Sequence, residues 1–270
     1  MVLPPLAAET IAHIGSFPIT NAFVNSFIVA MILIVTAFFV RRNMKTRANQ
    51  APTGVQNFAE AVVEFLMKQA VQVTGDEAKA RKFLPLAGTV FLFVLLNNWL
   101  GLFPGMGSIG FNHVVNGEAE FFPLLRSAGS DLNLTIAIAI TSIVATNVFG
   151  VMSIGFFSHV GKFLNFKGFL HAWHEHGIGA KLVGFLVAIV ELGVGLIEIV
   201  SELAKVLSLS LRLFGNVFAG EVLMAVMAGL FAYFLPLPFM ALELIVGVVQ
   251  ATVFAMLVLV YATVSTQEAH

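Results

Sequence analysis

The sequence predicts an all-α polytopic membrane protein. About five helices are membrane-embedded, an amphipathic helix lies at the interface, and the last two spans are long, tilted and antiparallel. Three observations predict this. Hydrophobic residues make up 59% of the 270, charged residues only 11%, and mean hydropathy is +0.94; a soluble domain carries roughly a quarter charged residues. Apolar runs long enough to cross a hydrocarbon core of about 30 Å recur along the chain. Basic residues gather in alternate loops, as the positive-inside rule requires.

The elements follow in order, as one membrane domain over residues 1–270. Met1–Ala22 holds Pro4, Pro5 and Pro18 and is assigned to the outer surface. Phe23–Val40 is the first span, with Arg41, Arg42, Lys45 and Arg47 directly after it. A cleavable signal has its charges first, so this run reads as a span with its N-terminus outside. Val55–Thr74 carries Gln56, Glu60, Glu64, Lys68 and Gln72 at every fourth position. That is an amphipathic helix lying along the cytoplasmic interface; a soluble cytoplasmic hairpin is the alternative.

Asp76–Lys82 reads as a charged loop, and residues 83–104 as the second span, ending near Asn97, Asn98, Trp99 and Pro104. Met106–Ser130 is the external loop. Asp131–Phe157 is the third span, and Ser158–Lys181 returns to the cytoplasm with Lys162, Lys167 and Lys181. Leu182–Leu235 runs 54 residues without proline. As one straight helix it is about 80 Å long. The expectation is a long oblique helix; a break at Gly193, Gly195 or Gly215 is the competing reading. Pro236–Pro238 is expected to turn the chain, and Phe239–Val264 to return it to the cytoplasm.

Composition also excludes. A net charge of −1 gives no electrostatic case for nucleic acid, and with no cysteine there is no disulfide, thiolate catalyst or cysteine metal site. His171, His174 and His176 stand close together, but their spacing is not a zinc signature. Gly101–Gly110 is glycine-rich without the lysine of a P-loop. No cofactor, nucleotide site or hydrolase triad is expected, and the partner that composition demands is membrane lipid.

The chemistry concentrates in the long helix. Arg212 stands in an apolar run, with Asn216 four residues on and Glu221 nine. An arginine keeps its proton in a protein, and placing one in a bilayer costs at least about 2.5–3.5 kcal/mol. Glu191, Glu198, Lys205 and Arg212 recur every seven residues, one slowly drifting stripe joined by Glu202 and Asn216. Glu221 is rotated about 180° from Arg212 and is expected to meet Glu243 of the returning helix. Gln250, seven residues beyond Glu243, reaches towards the depth of Arg212. Glu198 and Glu202 thus lie on the cytoplasmic side of a permanent cation, and Glu221 and Glu243 on the outer side. Two aqueous half-paths that must not join want this arrangement. The carrier between them is expected on another subunit. A packing-only ion pair for Arg212, and interhelical glue for Asn216 and Gln250, are the blander alternatives.

The stretch SLSLRLFGNVFAGE resembles the signature of subunit a of F-type ATP synthases, the stator of the membrane sector. NNWLGLFPGMGS, SDLNLT and ELIVGVVQATVFAMLVLVY resemble the family's second span, the start of its next and its last helix. The resemblance implies that Arg212 matches the essential arginine. It implies that Asn216, Glu221, Glu243 and Gln250 match the outer half-channel and its boundary, and that Glu198 matches the cytoplasmic one. It also implies a ring of c subunits as the carrier, a peripheral stalk of b subunits, and a non-catalytic role in a bacterial inner membrane. Two departures stand out. The family often pairs glutamate with histidine where Glu221 and Glu243 both stand, and Val206 replaces a frequent proline. A sodium-coupled version of the same subunit is the near rival. A secondary transporter predicts inverted repeats and broken helices, which the sequence lacks.

Overall fold

A computed structural model describes residues 8–46, 54–103, 109–115, 118–163, 178–230 and 234–267. Seven α-helices stand among them: α1 Asn21–Thr46, α2 Val55–Thr74, α3 Glu77–Gly101, α4 Leu132–Ile154, α5 Phe156–Phe163, α6 Ile178–Leu230 and α7 Pro236–Ser265. All but α2 and α5 are long and apolar enough to cross a membrane. The chain is a multi-pass, all-α membrane protein. His171, His174 and His176 lie outside the described residues.

The helices begin and end for local reasons. Asp76 caps α3, its side chain accepting from the Ala78 amide at 2.8 Å, so the charged stretch expected as a loop is the first turn and a half of a helix. Asp131 caps α4 in the same way, from the Asn133 amide at 2.9 Å. Gly155, at φ 86°, ends α4 three residues before the expected limit of that span, and the chain turns into α5. Pro236 opens α7 where a turn was expected: its fixed φ suits a first helical turn, which needs no amide hydrogen. The 53 residues of α6 form one helix, without the break at glycine that was the competing reading.

Two hairpins were not foreseen. Thr10–Ile14 (β1) pairs antiparallel with Phe17–Thr20 (β2), and Gly110–Val115 (β3) with Glu118–Pro123 (β4). A one-turn 3-10 helix, Ala128–Ser130, follows the second.

The core is a seam of α2, α3, α4, α6 and α7. Phe83, Ala87, Phe91 and Val94 form the buried stripe of α3, at helical spacing. Ala251, Ala255 and Ala262 of α7 are buried against it, small residues that let the two helices approach closely. Leu209, Leu213 and Val217 bring the middle of α6 into the same core. The first half of α6 presents Leu186, Val190, Val194 and Ile197 outward, an apolar surface suited to lipid.

Contacts fix which helix ends lie together. Lys82 Nζ donates to Ser153 Oγ at 3.1 Å, and Ser265 Oγ donates to the Thr146 carbonyl at 2.8 Å. The start of α3 and the ends of α4 and α7 therefore share one side, called here the Ser265 end. On the opposite side Asn21 Nδ2 donates to the Pro123 carbonyl at 3.3 Å, and Trp99 Nε1 to that of Leu244 at 3.2 Å. The start of α1, the end of α3 and the early part of α7 share this Arg126 end.

Candidate functional site

Helix α6 carries a polar group at each of two levels. At the Ser265 end, Lys205 Nζ donates to Glu202 Oε1 at 2.6 Å and stands 4.0 Å from the Glu198 carboxylate. The same ammonium lies 5.3 Å over the Tyr261 ring of α7, within reach of a cation–π contact. Asn147 Nδ2 of α4 donates to Glu202 Oε2 at 3.3 Å, and its Oδ1 lies 3.0 Å from His159 Nε2 of α5. Four helices thus meet around Glu202. The partial burial of Glu202 is balanced by one lysine and one amide, while Glu198 stays more exposed, at 41%.

At the Arg126 end, Glu221 Oε2 accepts from Arg126 Nη2 at 3.0 Å and from Nε at 3.3 Å. Arg126 is 7% exposed and Glu221 20%. The loop holding Arg126 is clamped. A Cβ at Gly101 would meet Ser127 Oγ at 2.5 Å, and one at Gly129 would meet Val217 Cγ2 at 2.7 Å. Glu243 packs its carboxylate onto Gly220, the residue before Glu221. It has no hydrogen-bond or ion-pair partner among the described residues. Asn98 is buried beside Gly247, one turn from buried Gln250 on α7. Gln250 Nε2, the Ser127 hydroxyl and both amide atoms of Asn25 and Asn98 are buried without a protein partner among the described residues.

Arg212 lies between the two levels and belongs to neither. Leu209, Ser210 and Leu213 around it are buried, while Arg212 is exposed. Among the described residues it has no hydrogen bond or ion pair. Ala204, Ser208, Gly215 and Ala219 are exposed with it, a strip of small side chains along one face. Asn216 is half-buried beside them.

The structure therefore gathers Glu198 and Glu202 around Lys205 at one level and sets Glu243 against Gly220, next to Glu221, at the other, while Gln250 is buried further along α7, one turn beyond Gly247. Sequence reasoning missed Arg126, Asn147 and His159. Arg126 and Asn147 each carried a signal: a lone cation in an otherwise weakly charged loop, and an amide within an apolar span. Among the described residues, no group of three or more His, Cys, Asp or Glu could hold a metal ion.

Comparison with known proteins agrees with this architecture. The family model described as "ATP synthase A chain" matches residues 23–263. ATP synthase subunit a of Campylobacter concisus is 31% identical over 90% of this chain and 89% of its own length. That of Trichlorobacter lovleyi is 32% identical over 93% and 89%, and that of Mycobacterium tuberculosis 32% over 94% and 89%. A match spanning all five apolar helices, together with relatives above 30% identity over nearly the whole length, leaves one conclusion: the chain belongs to the ATP synthase A chain family, membrane-sector subunits of the F-type synthase.

Proposed function

We propose that this chain is the proton-translocating stator of the membrane sector, with two offset half-paths separated by Arg212. A proton enters from outside through Asn216, Glu221, Glu243 and Gln250 and neutralises a carboxylate on a ring of c subunits. The neutral carboxylate can then turn into lipid. After nearly a full turn it reaches Glu198 and Glu202, and the proton leaves to the cytoplasm. The chain is non-catalytic; nucleotide chemistry belongs to other subunits, held in register by a peripheral stalk of b subunits.

Arg212 carries this reading. An exposed guanidinium along an apolar helix, unpaired among the described residues, is unfavourable by at least about 2.5–3.5 kcal/mol unless a neighbouring chain supplies an anion. The strip of Ala204, Ser208, Gly215 and Ala219 supports close approach of another helix on that face. The unpartnered amides of Asn25, Asn98 and Gln250 support a hydrated path on the Arg126 side, since buried polar groups take water where protein offers nothing. The reading puts the Ser265 end in the cytoplasm. Lys79, Arg81 and Lys82 at the start of α3, and Arg41 and Arg42 late in α1, support that orientation.

The test is Arg212→Ala in the complete complex, in inverted vesicles. ATP-driven proton pumping is expected to vanish and passive proton leak to rise. Pumping that survives unchanged overturns the reading. Repeating the wild-type measurement without sodium separates proton from sodium coupling.

A further inference from the structure

We propose that His159 and Asn147 are positioning residues of the cytoplasmic half-path. Together they orient the carboxylate of Glu202 through a directed chain of hydrogen bonds. The proposal rests on the reading above, in which Glu202 lines that path.

The fold builds a seat for the imidazole. Gly155 ends α4 at φ 86°, and the chain turns into α5. His159, one turn into α5, lies against Gly150 of α4: a Cβ there would meet its Cε1 at 2.6 Å and its Nδ1 at 2.8 Å. The residue is 6% exposed. Asn147 stands three residues before Gly150, on the same face of α4. Its Oδ1 lies 3.0 Å from His159 Nε2.

The direction of each bond follows from the partners. Asn147 Nδ2 faces two acceptors, the Ile143 carbonyl at 3.0 Å and Glu202 Oε2 at 3.3 Å. Turning the amide over would set its oxygen against both, so the side chain is fixed as it stands. Its Oδ1 can only accept, and His159 Nε2 must therefore carry a hydrogen and donate. It does so in the matching neutral tautomer and in the imidazolium alike. A proton on Nδ1 thus leaves the hold intact. The chain runs from His159 to Asn147 to Glu202, and the other oxygen of that carboxylate accepts from Lys205 at 2.6 Å.

Lys205 and Glu202 are three residues apart on one helix, and that pairing alone ties Glu202 only to its own element. Held from α4 as well, the carboxylate is fixed at one place between two helices. Proton transfer needs donor and acceptor within hydrogen-bond reach, so a fixed carboxylate serves the path. Asn147 has no titrating group. The part played by His159 is therefore geometric, and it acts through Glu202.

The experiment replaces His159 by Gln, Asn and Leu and measures ATP-driven pumping per assembled complex in inverted vesicles. Glutamine can place an amide hydrogen where Nε2 stands. Asparagine, one methylene shorter, reaches only the place of Nδ1, and leucine donates nothing. His159→Leu and His159→Asn are expected to lower pumping about ten-fold, and His159→Gln less than about three-fold, because it keeps the bond that bears on a charged group. In a Glu202→Gln background, His159→Leu is expected to cost less than about two-fold further, as coupled residues do. Glutamine no better than asparagine overturns the proposal, and so does a leucine cost that Glu202→Gln leaves unchanged. Should His159→Leu fail to assemble, or Glu202→Gln be inactive, glutamine against asparagine still decides. Failure of the underlying reading looks different: Arg212→Ala would then pump normally.

Discussion

The carboxylate of Glu243 occupies the space that a Cβ on Gly220 would need. Helices α6 and α7 meet there with no side chain between an acid and the opposing backbone. Gly220→Ala is therefore expected to push Glu243 off its seat. Overpacking of this kind costs about 1–3 kcal/mol. The measurable outcome is a marked drop in ATP-driven pumping with the complex still assembled. Undiminished pumping would mean that the contact has no role in proton entry.

Lys205 holds Glu202 at 2.6 Å and Glu198 at 4.0 Å. Lys205→Met removes the one cation that, among the described residues, pairs with both acids. Removing one partner of a buried pair costs about 3–5 kcal/mol, and partial exposure here, 18% for Lys205 and 22% for Glu202, brings the expectation to about 1–3 kcal/mol. Thermal unfolding of the purified subunit complex should show it. Adding Glu202→Gln to Lys205→Met should restore part of the lost stability; a double variant as unstable as the sum of its parts would refute the coupling.

Gly150 is the point where α4, α5 and the end of α7 converge. A Cβ there would lie 2.6 Å from His159 Cε1 and 2.8 Å from the Ser265 carbonyl. The latter is backbone and cannot swing aside. Gly150→Ala is expected to destabilise by about 1–3 kcal/mol, and Gly150→Leu to prevent assembly. Quantitative recovery of the leucine variant in membranes would contradict this packing.

Asp131 caps α4 while 6% exposed. Asp131→Ala should cost about 1 kcal/mol, and Asp131→Asn, which keeps the acceptor, much less. Denaturant titration of the two variants side by side checks the difference. Equal losses would show that charge rather than capping matters at that position.

Much of this architecture could be read from the chain because hydropathy is a strong local signal. The helical character of Val55–Thr74 followed from the four-residue period of its polar face, and α6 from the absence of proline. Arg212, Glu198, Glu202, Glu221 and Glu243 drew attention because charge is expensive in such segments. Pairing was harder. Arg126 and Glu221 are separated by 95 positions, and nothing local marks one as the partner of the other. Asn147, an amide within an apolar span, and His159 were overlooked because neither names its partner in the sequence; their meaning comes from converging on Glu202. The start of α3 was misjudged for the opposite reason. Glu77–Lys82 is polar, so hydropathy is silent there, while the Asp76 cap decides the helix boundary.

Glu202 and Glu221 are nineteen residues apart on a single uninterrupted helix, a spacing of about 28 Å along its axis. Such a rod acts as a ruler. The offset between the two polar levels is set by backbone geometry. Any flexing between those levels must come from the elements packed around the rod, because its sequence contains no proline to bend at.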